Sequence, residues 1–223
     1  SKCAANSAIG RILLRENPKG EEAKVRKPYR KTRVFATIAL AVGFLAACAQ
    51  VPPLDPLPEL TFAQLGKIQL NVASVEIVES YIPPLRGPNI EQFFPISPSQ
   101  AARRWSEDRL TALGSEGRAR FVIDTASVVE TVLPVEKGLR GAVTVDQASR
   151  YDATLVVTLE IRNDRGFRLA FATARAERSL TVSEDLTLNE RYAIQFRLVE
   201  DLMADLNGAL ETKVAEFLSA YTL

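Results

Sequence analysis

The clearest pattern in the chain is an alternation of apolar and polar residues over positions 151–161. The odd-numbered positions are all apolar, and the even-numbered positions are polar apart from Val156. Successive side chains of a β-strand point to opposite faces of the sheet, so this pattern predicts a strand with one buried and one solvated face. The sequence NDRG at 163–166 is typical of a turn, which makes residues 167–182 the returning strand of a hairpin.

Two other stretches have β-strand patterns. Over residues 68–77 the alternation slips by one position near Ala73, which predicts one strand with a bulge. Residues 118–133 carry apolar side chains on both faces, which indicates a strand in the centre of a sheet. One face would hold Phe121, Ile123 and Val129, and the other Val122, Ala126 and Val128.

Two stretches have the spacing of amphipathic helices. Ser97 or Ser99 can cap a helix that runs to about Leu113, and Gly114 would end it. A longer helix is expected after the sequence SED at 183–185, whose acids suit the positive end of a helix dipole. Its apolar residues recur every three or four positions: Leu188, Tyr192, Phe196, Val199, Met203, Leu206, Leu210, Val214, Phe217 and Tyr221. Together the elements predict an α+β domain of two layers, an antiparallel sheet of about four strands with both helices packed on one face.

The first 47 residues are organised differently. Residues 24–33 contain six basic side chains and no acid, and residues 34–47 are uncharged and mostly apolar. A basic stretch, a short apolar stretch and small residues at the end are typical of a secretory signal, and we expect a signal peptide at 25–47. The run from Val34 to Ala49, before the proline-rich stretch, has 16 residues, fewer than the ~20 of a membrane-spanning helix. We expect residues 1–24, which contain three glutamates, to be an extension outside the native precursor.

The sequence LAAC at 45–48 resembles the lipobox of bacterial lipoproteins. The resemblance implies attachment of a diacylglycerol to the sulfur of Cys48, then cleavage between Ala47 and Cys48, and then N-acylation of the new terminus. A plain signal peptide or a signal anchor with an incidental cysteine is the alternative. Ala49 and Gln50 replace the aspartate that retains lipoproteins in the inner membrane of enteric bacteria, which favours an outer-membrane location facing the periplasm.

Composition restricts what the remaining chain can do. Four prolines in residues 51–60 predict an extended tether over 48–66, which leaves 67–223 as the folded domain. After residue 47 the chain has 18 basic and 24 acidic side chains, and this negative balance argues against nucleic acid as a partner.

Residues for catalysis or metal binding are scarce. The chain has no histidine, which excludes Ser-His-Asp and Cys-His nucleophile pairs and HExxH zinc sites. The adjacent acids at 107–108, 184–185 and 200–201 would diverge by about 100° on a helix, so they are expected to be solvated. The GxxG sequences at 114–117 and 138–141 are expected to be turns. We expect no catalytic residue, no metal site and no cofactor apart from the covalent lipid on Cys48.

An unusually apolar loop is expected between the first strand and the first helix. A connection of this length usually carries function or is disordered, and disordered segments contain few aromatic residues. The residues that we expect to bind a partner protein or lipid are Tyr81, Ile82, Leu85, Phe93, Phe94 and Ile96, with Trp105 of the first helix. The alternative is that they fold back to cover the sheet or the helix near Trp105.

The order of elements and several landmarks resemble those of the ABC-type transport auxiliary lipoproteins. The landmarks are YIPP at 81–84, RW at 104–105, RL at 109–110, YD at 151–152 and LTVS at 180–183. Those lipoproteins are outer-membrane partners of Mce-type lipid transport systems. The chain departs from them by a longer loop at 83–97 and a longer connection at 134–150.

The resemblance implies a non-enzymatic, membrane-anchored lipoprotein that supports lipid transport or outer-membrane assembly. It would bind an envelope protein complex, and phospholipid is a further possible ligand. Two alternatives remain open: a structural or secretion-complex lipoprotein with only a protein partner, and a hydrolase without histidine.

Overall fold

In the part of the chain that the structure describes, the fold combines two α-helices with a four-stranded and a two-stranded sheet. The computed structural model describes residues 56–134, 147–183 and 185–223. In chain order the elements are β1 Ile68–Leu70, β2 Ser74–Glu79, α1 Pro98–Arg109, β3 Leu110–Ala112, β4 Arg118–Val132, β5 Gln147–Arg162, β6 Arg168–Ser183 and α2 Leu188–Phe217. The large sheet has the order β2-β4-β5-β6, and β1 pairs with β3 in the small one. The predicted α+β class, with helices packed on a sheet of four strands, is confirmed.

The direction of one strand differs from the prediction. Strands β4, β5 and β6 are antiparallel, but β2 runs parallel to β4, so the large sheet is mixed. Between β2 and β4 the chain passes through the apolar loop and α1. A crossover of this kind carries the chain back to the end of the sheet where β2 began, so β4 runs in the same direction as β2.

Strands β5 and β6 provide most of the surface on which α2 packs. The odd-numbered residues 151–161 of β5 are all buried, which confirms the predicted alternation. In β6 the buried positions are the short side chains Ala172, Ala174 and Ala176, together with Val182 near the end of the strand. Short side chains let a helix approach the sheet closely, and Leu202, Met203, Leu206 and Leu210 of α2 are fully buried.

Strand β4 carries a bulge at Asp124, where its pairing with β5 shifts by one residue. Before the bulge the core receives Phe121 and Ile123, and after it the core receives Ala126 and Val128. The extra residue reverses which positions face inward. The grouping predicted for this strand was therefore wrong in its second half, although its central position in the sheet is confirmed.

The predicted single strand at 68–77 is two strands in different sheets. Ile68–Leu70 pairs with β3, and Ser74–Glu79 pairs with β4. The same pairing ends α1 at Arg109 rather than near Leu113, because residues 110–112 form β3 instead of another helical turn. Gly114 lies just beyond, where an added Cβ would be 2.6 Å from the backbone of Asn71.

Capping boxes set the starts of both helices. Ser97 accepts a hydrogen bond from the backbone N–H of Gln100 and starts α1, as one of the two predicted caps. Helix α2 starts later than predicted, with Thr187 as its cap and Glu190 as the reciprocal partner. Ser183 cannot serve as that cap because it is still the last residue of β6.

The folded domain begins before residue 67. Leu60 and Phe62, from the predicted tether, are buried in the core. The backbone N–H of Phe62 donates to Asp108 Oδ2 at 2.7 Å, and Arg109 Nη1 donates to the carbonyl oxygen of Leu65 at 2.7 Å. The C-terminal part of the predicted tether is therefore held against α1 by hydrogen bonds and apolar burial.

Candidate functional site

The apolar loop, residues 81–96, has large side chains on both its inner and outer sides. Ile82, Leu85 and Phe93 project outward, with 84%, 69% and 66% of their surface exposed. Phe94 is only 7% exposed, and its ring lies 6.0 Å from that of Tyr151, centroid to centroid. Ile96 and Tyr81 are half-buried against the core. The outward group, Ile82, Leu85 and Phe93, is called the loop surface below.

Glu91 fixes the loop from inside. Its carboxylate is buried and accepts hydrogen bonds from Tyr81 Oη at 2.7 Å and from the backbone N–H of Val128 at 3.1 Å. The amide of Asn89 donates to both carboxylate oxygens, at 3.3 and 3.4 Å. Burial and the hydrogen bond to Glu91 raise the pKa of Tyr81 far above its usual value, so the hydroxyl keeps its proton as donor.

Backbone hydrogen bonds also join the loop to β4. The N–H of Ile90 donates to the carbonyl of Val128, and the N–H of Glu130 donates to the carbonyl of Pro88, both at 2.9 Å. At its start, Tyr81 donates through its N–H to the carbonyl of Ile123. The loop therefore continues along β4 past the end of β2, which holds its backbone in one position.

Trp105 lies in the core and not on the surface that the sequence predicted for it. It is fully buried, its ring stacks on Phe121 at 5.5 Å, and its Nε1 donates to Asn207 Oδ1 at 2.9 Å. Phe94 is likewise a core residue. The predicted alternative, that apolar residues of the loop fold back onto the sheet, is therefore correct for Phe94. The residues of the loop surface instead remain exposed.

A second group of functional side chains was missed by the sequence reasoning. Arg118 and Arg120 of β4 lie opposite Arg162 and Glu160 of β5, and Arg162 lies opposite Arg168 of β6. Alternate positions of the three strands bring these charges together on the sheet face opposite the helices. The alternation within each strand was visible in the sequence, but the register between strands was not.

The remaining predicted site residues lie outside the described part of the chain. This applies to Cys48, to the cleavage position after Ala47 and to the signal peptide. Within residues 56–134, 147–183 and 185–223, no group of three or more potential metal ligands occurs. None of the helices in these ranges is long and apolar enough to span a membrane.

No model of a known protein family matches the chain, and no curated protein matches it. The function must therefore be argued from the chain's own residues.

Proposed function

We propose that this protein is a membrane-anchored lipoprotein of the cell envelope and a non-enzymatic auxiliary component of lipid transport or outer-membrane assembly. It binds a partner protein or lipid through the loop surface. The observation that carries the proposal is the outward position of Ile82, Leu85 and Phe93 on a loop whose backbone is fixed. Large apolar side chains exposed on one ordered loop are typical of interaction sites.

The rigidity of the loop supports a binding role. A surface held by Glu91 and by bonds to β4 loses little conformational freedom when a partner docks, which favours affinity. Leu85 has a backbone φ of 55°, in the left-handed region that disfavours residues with a Cβ. Its side chain is exposed, so packing in the core does not account for a leucine at this position. Backbone strain from a positive φ is concentrated at functional sites.

The point at which the described chain enters the domain also supports this role. A groove of about 400 Å³ is lined by Glu59 and Leu60 on one side and by Pro95 and Ile96 on another. The point where the chain enters the domain is thus next to the end of the apolar loop. A lipid on Cys48 would be joined to the domain through this point of entry.

Site-specific photocrosslinking tests the proposal. A benzoylphenylalanine at position 93 in native membranes should crosslink strongly to one protein or to lipid. The matched control is position 217, a phenylalanine with 52% exposure at the end of α2, which should give only background.

The product separates the candidate functions. Crosslinked lipid or a transporter subunit supports the proposal, and a secretion-complex subunit supports the structural alternative. Equal, weak crosslinking at positions 93 and 217 would contradict a binding role for the loop surface.

A further inference from the structure

Three arginines pair with one buried carboxylate at the end of the sheet that carries the β5–β6 turn, and a fourth lies in the neighbouring row. Glu160 is buried and accepts from Arg162 Nε at 2.8 Å, Arg168 Nη1 at 3.2 Å and Arg120 Nη1 at 3.4 Å. Three cations against one anion leave an excess of positive charge. The fourth arginine, Arg118, follows in the next cross-strand row, opposite Arg162.

Glu160 orients these arginines. Burial opposes its charge, but hydrogen bonds from Arg162 and Arg168 outweigh burial and lower its pKa below the usual value. The carboxylate therefore stays ionised near neutral pH and holds the guanidinium groups in place. Each guanidinium has five N–H donors. Arg162 uses Nε and Nη2 on Glu160 and Nη1 on the carbonyl of Gly166, which leaves one N–H on each Nη atom for another acceptor.

The arginines open onto a cleft. A depression of about 230 Å³ is lined by Arg118, Arg120, Arg162 and Glu76. This is several times the ~30 Å³ that one water molecule occupies in the liquid. Arg120 Nε lies 3.3 Å from Glu76 at the rim, whereas Arg118 has no acidic partner within 4.0 Å among the residues that the structure describes. The cleft therefore offers converging donors and one unpaired cation to solvent.

We propose that this cleft is an anion site for a phosphate group, to which Arg118, Arg120 and Arg162 donate hydrogen bonds. The planar guanidinium matches the oxygens of phosphate and donates to them in pairs. Glu76 occupies the rim as an internal competitor for Arg120. Glu160 is a positioning residue that acts through the arginines.

The surroundings favour a phospholipid headgroup over free phosphate as the source of that group. Phe167, Leu169 and Phe171, at the same end of the β5–β6 hairpin, are all exposed. The guanidinium of Arg168 lies 4.4 Å from the ring centroid of Phe171. Exposed apolar side chains beside basic ones are typical of sites that contact the headgroup and acyl boundary of anionic lipids. The site stands independently of the loop surface, which lies near the other end of β4.

Titration calorimetry of the detergent-solubilised full chain tests the site at fixed, low salt. The probes are inorganic phosphate and dihexanoylphosphatidylglycerol below its micelle concentration, with dihexanoylphosphatidylcholine as the zwitterionic reference. Arg118→Gln should weaken binding about tenfold or more, since a hydrogen bond to a charged group is lost. Arg175→Gln is the matched control, because Arg175 is exposed in the same sheet and pairs with Glu177 outside the cleft.

Glu76→Gln provides a test by gain of binding, because it removes the competing acid and should tighten phosphate binding several-fold. Tighter binding of the phosphatidylglycerol probe than of phosphate supports a lipid headgroup. Binding of phosphate alone supports the site but overturns the lipid assignment. No saturable binding of either anion, or equal weakening by Arg118→Gln and Arg175→Gln, would overturn the site itself.

Discussion

Two neighbouring phenylalanines of the apolar loop should respond differently to truncation. Phe94 is 7% exposed and packs beside Tyr151, whereas Phe93 is 66% exposed. Phe94→Ala removes a buried ring and leaves a cavity, which costs about 3–5 kcal/mol of unfolding free energy. For a domain of this size each kcal/mol lowers the Tm by about 2–4 °C, so a fall of about 10 °C is expected. Phe93→Ala should change the free energy of unfolding by no more than about 0.5 kcal/mol.

Thermal unfolding followed by circular dichroism measures the Tm of both variants. Capture of partner protein or lipid from native membranes measures binding, which Phe93→Ala should lose while keeping its Tm. A fall of about 10 °C for Phe93→Ala would refute the reasoning, since the side chain would then belong to the core. An unchanged Tm for Phe94→Ala would refute the inward position of that ring.

Three other variants test separate parts of the molecule. Cys48→Ala should leave the precursor uncleaved, because cleavage follows acylation, and labelled palmitate entering the variant would contradict the lipidation site. Gly114→Ala should lower the free energy of unfolding by about 1–3 kcal/mol, because the added Cβ would clash with the adjacent backbone. Gly208→Ala in α2, where an added Cβ meets nothing within 4 Å, should raise it by up to ~1 kcal/mol. Equal effects of the two variants in urea unfolding would contradict this. The lowered pKa of Glu160 adds stability that is present above its ordinary value of 4.5 and is lost as the pH falls through the lowered pKa. Glu160→Gln should flatten that acid-side loss in a series of Tm measurements, and an unchanged slope would contradict it.

Local patterns predicted the elements whose partners are close in sequence. The alternation in β5, the turn at 163–166 and the return in β6 are contained within one hairpin, so no distant residue is needed to form them. The middle of the apolar stripe predicted for α2, from Phe196 to Val214, is buried, because a buried helix face depends on its own spacing. The ends of the stripe were wrong: Leu188 and Phe217 are about half exposed, and Tyr221 lies beyond the helix. The split of β1 from β2 was not predictable in the same way, since each strand is fixed by a partner about 40 residues further along the chain.

The candidate sites were also predictable only where they depend on local sequence. The many apolar residues of the loop were visible in the sequence. The outward position of Phe93 and the inward position of Phe94 depend on the short 3₁₀ turn at Glu91–Phe93 and on the buried carboxylate of Glu91. The arginine cleft depends on the register between β4 and β5 across a long connection. Charge counts could not reveal it, because the domain as a whole is acidic.

The hydrogen bonds between the apolar loop and β4 have a consequence for how the protein can evolve. Past the end of β2, the segment from Pro88 to Ile90 covers the edge of β4 that would otherwise be open to pairing with another chain. Shortening the loop would therefore promote self-association as well as remove a binding surface. Ile82, Leu85 and Phe93 do not take part in that cover through their side chains. Selection can thus exchange these three side chains and change the partner, while the backbone beneath them continues to protect the sheet from aggregation.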